Sequence, residues 1–159
     1  MNELGPQAGL VIHYSYLWHD EARRGQEEGV KDRPCVIFRT QKSPDDRLLV
    51  SVFPITHTPQ DEASKAVAIP AKTRARLGLD AQPSWVVTTE CNRFTWPGFD
   101  LRPLPGKEGQ SSYAYGFLPK TLFNVSRDQF TDHALERRFR VVGRDEKKAR
   151  DRNDEEREP

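Results

Sequence analysis

Short runs of β-branched and aromatic residues recur about every ten positions, and a long helical pattern comes only late in the chain. This spacing constrains the fold more than any other feature. "GLVIHYSYLW" (9–18), "PCVIFRT" (34–40), "RLLVSVFPIT" (47–56), "KAVAIP" (65–70), "SWVVTTECNRF" (84–94) and "YAYGFL" (113–118) each read as a strand. Turn-forming segments such as "QKSPDD" (41–46) separate them, and Pro54 is expected to end the third. Between strands only "AKTRARLGL", with Gly78 as a stop, has helical character. Helices therefore do not alternate with strands, and no glycine-rich phosphate loop follows one, which excludes a doubly wound parallel sheet. The pattern predicts a mainly β protein, a small antiparallel barrel, closed by a helix over 119–139. Pro119 suits its first turn, and Ser126 with Gln129 forms a possible capping box for its second half.

The 159 residues suffice for one domain with a real core. Charged residues make up 31% of the chain, and much of that charge gathers in "RDEKKARDRNDEEREP" (144–159), which holds 6 of the 25 basic and 7 of the 24 acidic residues. This segment has almost nothing apolar to bury. The expected organisation is a single domain, 1–143, followed by a charged and disordered tail, 144–159. The formal net charge of +1 advertises no global field for nucleic acid, so an anion site must be a local patch. Cys35 and Cys91 lie in apolar strand-like surroundings without a CxxC pair, which points to buried thiols rather than a disulfide or metal site. No signal-peptide pattern and no long apolar run is visible, so a soluble cytoplasmic protein without membrane contact is expected.

The usual catalytic motifs are missing. There is no HExxH, GxSxG or Walker pattern, and His13, His19, His57 and His133 show no ligand spacing, so neither metal nor cofactor is expected. Three clusters at strand ends remain: Lys31-Asp32-Arg33-Pro34, "PITHT" with Thr56 and His57, and "TTECNRF" with Glu90 and Asn92. Each has a bland reading. Arg33 could pair with a surface acid, Thr56 could cap a turn, His57 could be a solvated loop residue, and Glu90 could sit on the outward face of its strand. Converging on one face, however, a guanidinium, a hydroxyl, an imidazole and a carboxylate would bind and cleave a phosphodiester. Arginine grips phosphate bidentately and stabilises charge in the transition state, while a carboxylate or imidazole takes the proton of an RNA 2′-OH.

In this order along the chain the pieces resemble the MazF/PemK family of toxins from bacterial toxin–antitoxin pairs. "GLVIHYSYLW" is similar to the family's opening strand. "GQEEGVKDRPCVIF" resembles its Gly-x-Glu, loop, Arg-Pro and apolar strand signature, and "VSVFPIT" its Val-x-Pro-x-Thr strand. "WVVTTECNRF" and "YAYGFLPKTLFNV" resemble the later acidic strand and the closing strand and helix. The resemblance covers roughly residues 9 to 135. It implies an SH3-like barrel and a metal-independent endoribonuclease that cuts single-stranded RNA or mRNA, with a cognate antitoxin and a homodimer as partners. Arg33 and Thr56 fall on the family's catalytic arginine and threonine, and Glu90 on an acidic proton-transfer position of some members. The chain departs from the pattern at Leu10, where an Asp is usual. It departs again at Thr88, where some members have a second arginine, and at Gln26, where some have a histidine. His57 is the candidate to supply the missing proton carrier. Base contacts are expected from Trp18, Gln26, Lys31, Asn92, Arg93 and Trp96, with Phe94 a further stacking candidate, since single-stranded RNA is read by stacking and splayed base edges. The same aromatics could instead pack in the core. The loop 19–32 would lie over RNA or antitoxin. The alternatives are a non-catalytic or gyrase-directed binding protein on the same barrel, and an unrelated β-barrel adaptor in which Arg33 is structural.

Overall fold

A computed structural model describes residues 5–26, 31–106 and 112–145. Its elements in chain order are β1 (Leu10–Tyr14), α1 (His19–Arg23), β2 (Arg33–Lys42), β3 (Leu48–Thr56), a 3-10 turn (Ala63–Lys65), β4 (Ala66–Ala68), α2 (Ala71–Leu77), β5 (Trp85–Val87), β6 (Glu90–Thr95), β7 (Ala114–Phe117), α3 (Lys120–Leu135) and β8 (Arg140–Gly143). The mainly β expectation holds. The strands form one sheet in the order β4-β5-β3-β2-β1-β7, and β6 joins β3 to β8. All pairings are antiparallel except β6 with β8. Among the described residues the pairings do not close into a barrel.

Both faces of the central strands are buried. Leu10, Ile12 and Tyr14 of β1 enter one core with Cys35 and Ile37 of β2 and Val50 and Val52 of β3. Val11, Val36, Phe38, Phe53 and Ile55 enter a second core on the opposite face, covered by Leu77 of α2 and by Leu122, Phe123 and Phe130 of α3. This is why β1, β2 and β3 read as nearly unbroken apolar runs rather than as alternating ones. Phe38 and Phe53 stack at 3.9 Å between centroids and tie β2 to β3 beneath α3.

Several boundaries differ from the sequence reading. Pro54 does not end β3. It stands opposite Cys35, and the strand continues to Thr56. The stretch 84–94 is two strands, because Thr88 leaves the ladder. Its N–H and hydroxyl turn to the carbonyl of Lys65, and the hydroxyl also meets Gln129 Oε1 at 2.8 Å. The register against β3 shifts accordingly, with β5 on Ile55 and Thr56 and β6 on Leu49–Val52. Gln129 is thus a tether and no cap, while Ser126 lies inside an unbroken helix and bonds back to Leu122.

The chain past Leu135 forms β8, which the helical reading of 119–139 missed. Arg144 and Asp145, assigned by composition to the tail, are packed into the domain. Arg144 is buried in a two-bond ion pair with Asp100 (2.7 and 3.1 Å), and Asp145 accepts from the Thr95 N–H at 2.6 Å. The rest of the proposed tail, 146–159, lies outside the described residues. Among the described residues no helix is long and apolar enough to cross a membrane.

Candidate functional site

Arg33 opens β2 opposite Tyr14 of β1. On its other side β2 pairs with β3 through Cys35 and Pro54, and continuing that register by two residues sets Arg33 across from Thr56. The Arg-Pro step holds the arginine at the end of two strands that run into the buried Cys35 and Ile55, so its backbone has little freedom. The guanidinium carbon lies over the Trp18 ring, 5.0 Å from its centre, in a cation–π contact. Its Nε is buried without a hydrogen-bond partner among the described residues. Arg33 is therefore not a surface ion pair with Asp32, whose carboxylate instead lies 3.7 Å from Arg102.

Two cavities meet at this strand end. The larger, about 360 Å³, runs toward the α2 side of the sheet and is lined by Ile55, Leu79, Asp80, Ser84 and Tyr115. The smaller, about 280 Å³, lies toward the opposite core and is lined by Trp18, Thr56, Thr58 and Gln60. Lys31, Arg33 and His57 border both. Two cations and an imidazole thus form a ridge between two recesses. The Thr56 hydroxyl accepts the N–H of Thr58 at 3.1 Å, which leaves its own proton to donate elsewhere.

His57 is held at both ring nitrogens. Nδ1 lies 3.0 Å from the carbonyl of Pro83, and Nε2 2.8 Å from Asp80 Oδ2. Both neighbours can accept, so neither ring nitrogen is left free. Asp80 reaches this place because Gly78 ends α2 in the left-handed region (φ 76°), a conformation that costs glycine least, and turns Leu79 and Asp80 into the larger cavity. Asp80 Oδ1 also accepts the N–H of Gln82 at 3.1 Å, so the carboxylate is braced by its own turn.

Of the residues expected from sequence, Arg33, Thr56, His57, Lys31 and Trp18 come together here. The others do not. Glu90 lines neither cavity. Its carboxylate accepts from the Tyr16 hydroxyl (3.1 Å) and the His19 N–H (2.8 Å), and burial raises its pKa above the usual carboxylate range. Asn92 is fully buried and spends its amide on Leu17, accepting from the N–H at 2.9 Å and donating to the carbonyl at 2.7 Å. It is a backbone clamp, not a base contact. Gln26 donates to Glu21 Oε2 at 3.3 Å, behind α1. Arg93 borders a separate recess with Gln41, Arg47 and Asp145. Trp96 packs on Phe94 and Tyr113, and Phe94 is itself a core residue stacked on Tyr14. The lid expected over 19–32 is a short helix, α1, in its first part, with Glu21 reaching back to the Trp18 N–H at 3.1 Å. Residues 27–30 lie outside the described residues.

Asp80, Ser84 and Tyr115 were not anticipated. They arrive from the α2 turn, the approach to β5 and β7, and no local motif marks them. Burial raises the Tyr115 hydroxyl to about 12, so it enters the cavity as a neutral donor. Both thiols are pushed up by burial, Cys91 to about 12, which removes them as nucleophiles. Among the described residues no group of three His, Cys, Asp or Glu is arranged to hold a metal ion. No protein-family model matches the chain, and no curated protein is similar to it in sequence.

Proposed function

We propose that the protein is an endoribonuclease toxin of the MazF/PemK kind, acting on single-stranded RNA, and that its sheet is an opened form of the SH3-like barrel. The observation that carries this reading is the meeting of Arg33, Thr56, His57 and Lys31 at one strand end, with Arg33 Nε unpartnered among the described residues. Arg33 and Lys31 grip the non-bridging oxygens of one phosphodiester, and the Thr56 hydroxyl donates to the same group. The ribose 2′-oxygen attacks the phosphorus, and the bond to the 5′-oxygen breaks. The products are a 2′,3′-cyclic phosphate and a 5′-hydroxyl. Charge builds on the gripped oxygens as this happens, and the guanidinium, already lying over Trp18, needs no reorganisation to meet it. In the braced His57–Asp80 pair the Asp80 carboxylate, which lines the larger cavity, takes the 2′-hydroxyl proton while His57 holds it in place. Solvent, which reaches both open cavities, protonates the leaving oxygen. A homodimer, a cognate antitoxin and a cytoplasmic setting go with this reading.

One observation favours a second reading. The carboxylate carried over as the proton-transfer residue, Glu90, is committed to Tyr16 and His19. A protein that grips RNA or gyrase without cutting would need only the ridge. Incubation with single-stranded RNA in EDTA separates the two. The nuclease reading expects cleavage that survives the chelator, falls by roughly 10²–10³-fold in Arg33→Ala and is lost in a folded His57→Ala. Growth arrest without any RNA cleavage favours the binding protein. Wild-type turnover in His57→Ala removes the role assigned here to the His57–Asp80 pair.

A further inference from the structure

The larger cavity carries more than the grip on phosphate requires. Four buried side-chain polar atoms lack a hydrogen-bond partner among the described residues, and two of them, Arg33 Nε and Ser84 Oγ, belong to residues lining this one recess. Ser84 is 3% exposed. A buried hydroxyl left unpaired costs stability, and such groups in a folded protein call for a partner that comes from outside. Around it the walls are of another kind. Ile55, Leu79, Pro34 and the Tyr115 ring supply apolar and aromatic surface, and Tyr115 is steadied edge-on by His13 at 6.1 Å. A recess that sets this apolar and aromatic surface beside unsatisfied polar groups suits a planar heterocycle whose edge is hydrogen-bonded. At about 360 Å³ the recess lies near the lower end of small-ligand sites, which run from about 300 to 1,000 Å³, so it suits one such unit and not an oligomer.

Its position completes the picture. The Lys31–Arg33–His57 ridge borders both recesses, so a phosphodiester gripped on the ridge sends its two nucleosides to opposite sides. In the smaller recess the indole of Trp18 already carries the Arg33 guanidinium. The larger one is the side with surface to spare. We propose that this recess is a base-reading subsite: it takes the nucleobase on one side of the gripped phosphate, the Ser84 hydroxyl bonds the base edge, and Tyr115 and Leu79 flank the ring. This rests on the RNA-gripping reading above and adds to it the residue that discriminates among bases.

The test uses dinucleoside monophosphates with 2′-O-methyl sugars, which cannot be cut, in all base combinations. Inorganic phosphate is the base-free comparator, and binding to the full chain is followed by calorimetry. Wild type is expected to show affinities that depend on the base at one of the two positions. Ser84→Ala narrows that spread by roughly 2- to 10-fold and leaves phosphate binding unchanged. Tyr115→Leu weakens every dinucleotide without weakening phosphate, and serves if Ser84→Ala fails to fold. Arg33→Ala weakens dinucleotides and phosphate together. A wild-type protein indifferent to the base, or a folded Ser84→Ala with the full spread, overturns the subsite. Cleavage of ordinary single-stranded RNA is scored separately. Base-dependent binding without cutting removes the ribonuclease reading and keeps the subsite, whereas cutting with no effect of Ser84 does the reverse.

Discussion

At the scale of single residues, Arg33 shows how a charge becomes a tool. A surface arginine finds a carboxylate or water. This one lies over Trp18 at a strand end, with its Nε buried and without a hydrogen-bond partner among the described residues. Arg33→Lys tests the geometry, because an ammonium keeps the charge but loses the planar fork. Cleavage is expected to fall nearly as far as in Arg33→Ala, while phosphate binding is partly kept, and full activity in Arg33→Lys would show that charge alone suffices. Glu90 makes the opposite point. Desolvation dominates its environment and raises its pKa, although the bonds from His19 and Tyr16 pull the other way. The folded state therefore holds this proton more tightly than the unfolded one. Stability from this group is fullest below the ordinary carboxylate value near 4.5 and is lost as the pH rises through the raised folded value. Glu90→Gln should flatten that part of the pH dependence in urea denaturation between pH 4 and 7. An unchanged slope would show that Glu90 titrates normally.

At the scale of elements, the strand order depends on contacts between distant segments. β8 is only four residues long, with Arg140 and Val141 exposed and Val142 alone well buried, so its own burial does little to hold it. It is held because it lies parallel to β6 and because the next residue, Arg144, enters a buried pair with Asp100. Removing one member of such a pair strands the other charge in the interior at a cost of about 3–5 kcal/mol. Arg144→Met and Asp100→Leu are each expected to destabilise the fold by amounts in that range. The double variant should recover much of the loss, since two apolar groups leave no orphaned charge. Simple additivity in a double-mutant cycle would show that the two side chains do not depend on each other.

At the scale of the whole molecule, the sheet is a wall between two cores. α3 closes one of them through Phe130, whose ring meets Phe38 at 4.9 Å, Phe53 at 5.8 Å and Phe139 at 4.4 Å. Phe130→Ala should cost about 3–5 kcal/mol. Because β3 carries both Phe53 and Thr56, cleavage and thermal stability should fall together as the strand end loosens. Retention of activity at a strongly lowered Tm would show that the site is independent of the second core.

Taken alone, the amino-acid order determines the strand-rich class and the stop at Gly78, and it places a turn at 41–46 that the structure begins only after Lys42. These rest on local physics, β-branched runs and Pro and Gly backbone preferences, whereas the meeting of Arg33 with Thr56 is implied by a motif resemblance and made by the β2–β3 pairing. The amino-acid order misleads at Asn92 and Trp96, because a polar or aromatic residue in a strand looks the same whether it faces solvent or clamps a distant backbone. Composition likewise places Arg144 in a solvated tail, since a charge carries no local sign of the partner that will bury it. Only the tertiary structure decides that Thr88 breaks the ladder, that Glu90 is drawn away from the cavity, and that Asp80, Ser84 and Tyr115 are brought to Arg33. These residues lie tens of positions apart, and what joins them is the packing of α2, β5 and β7 around the end of β3, a long-range arrangement that no short window of sequence contains.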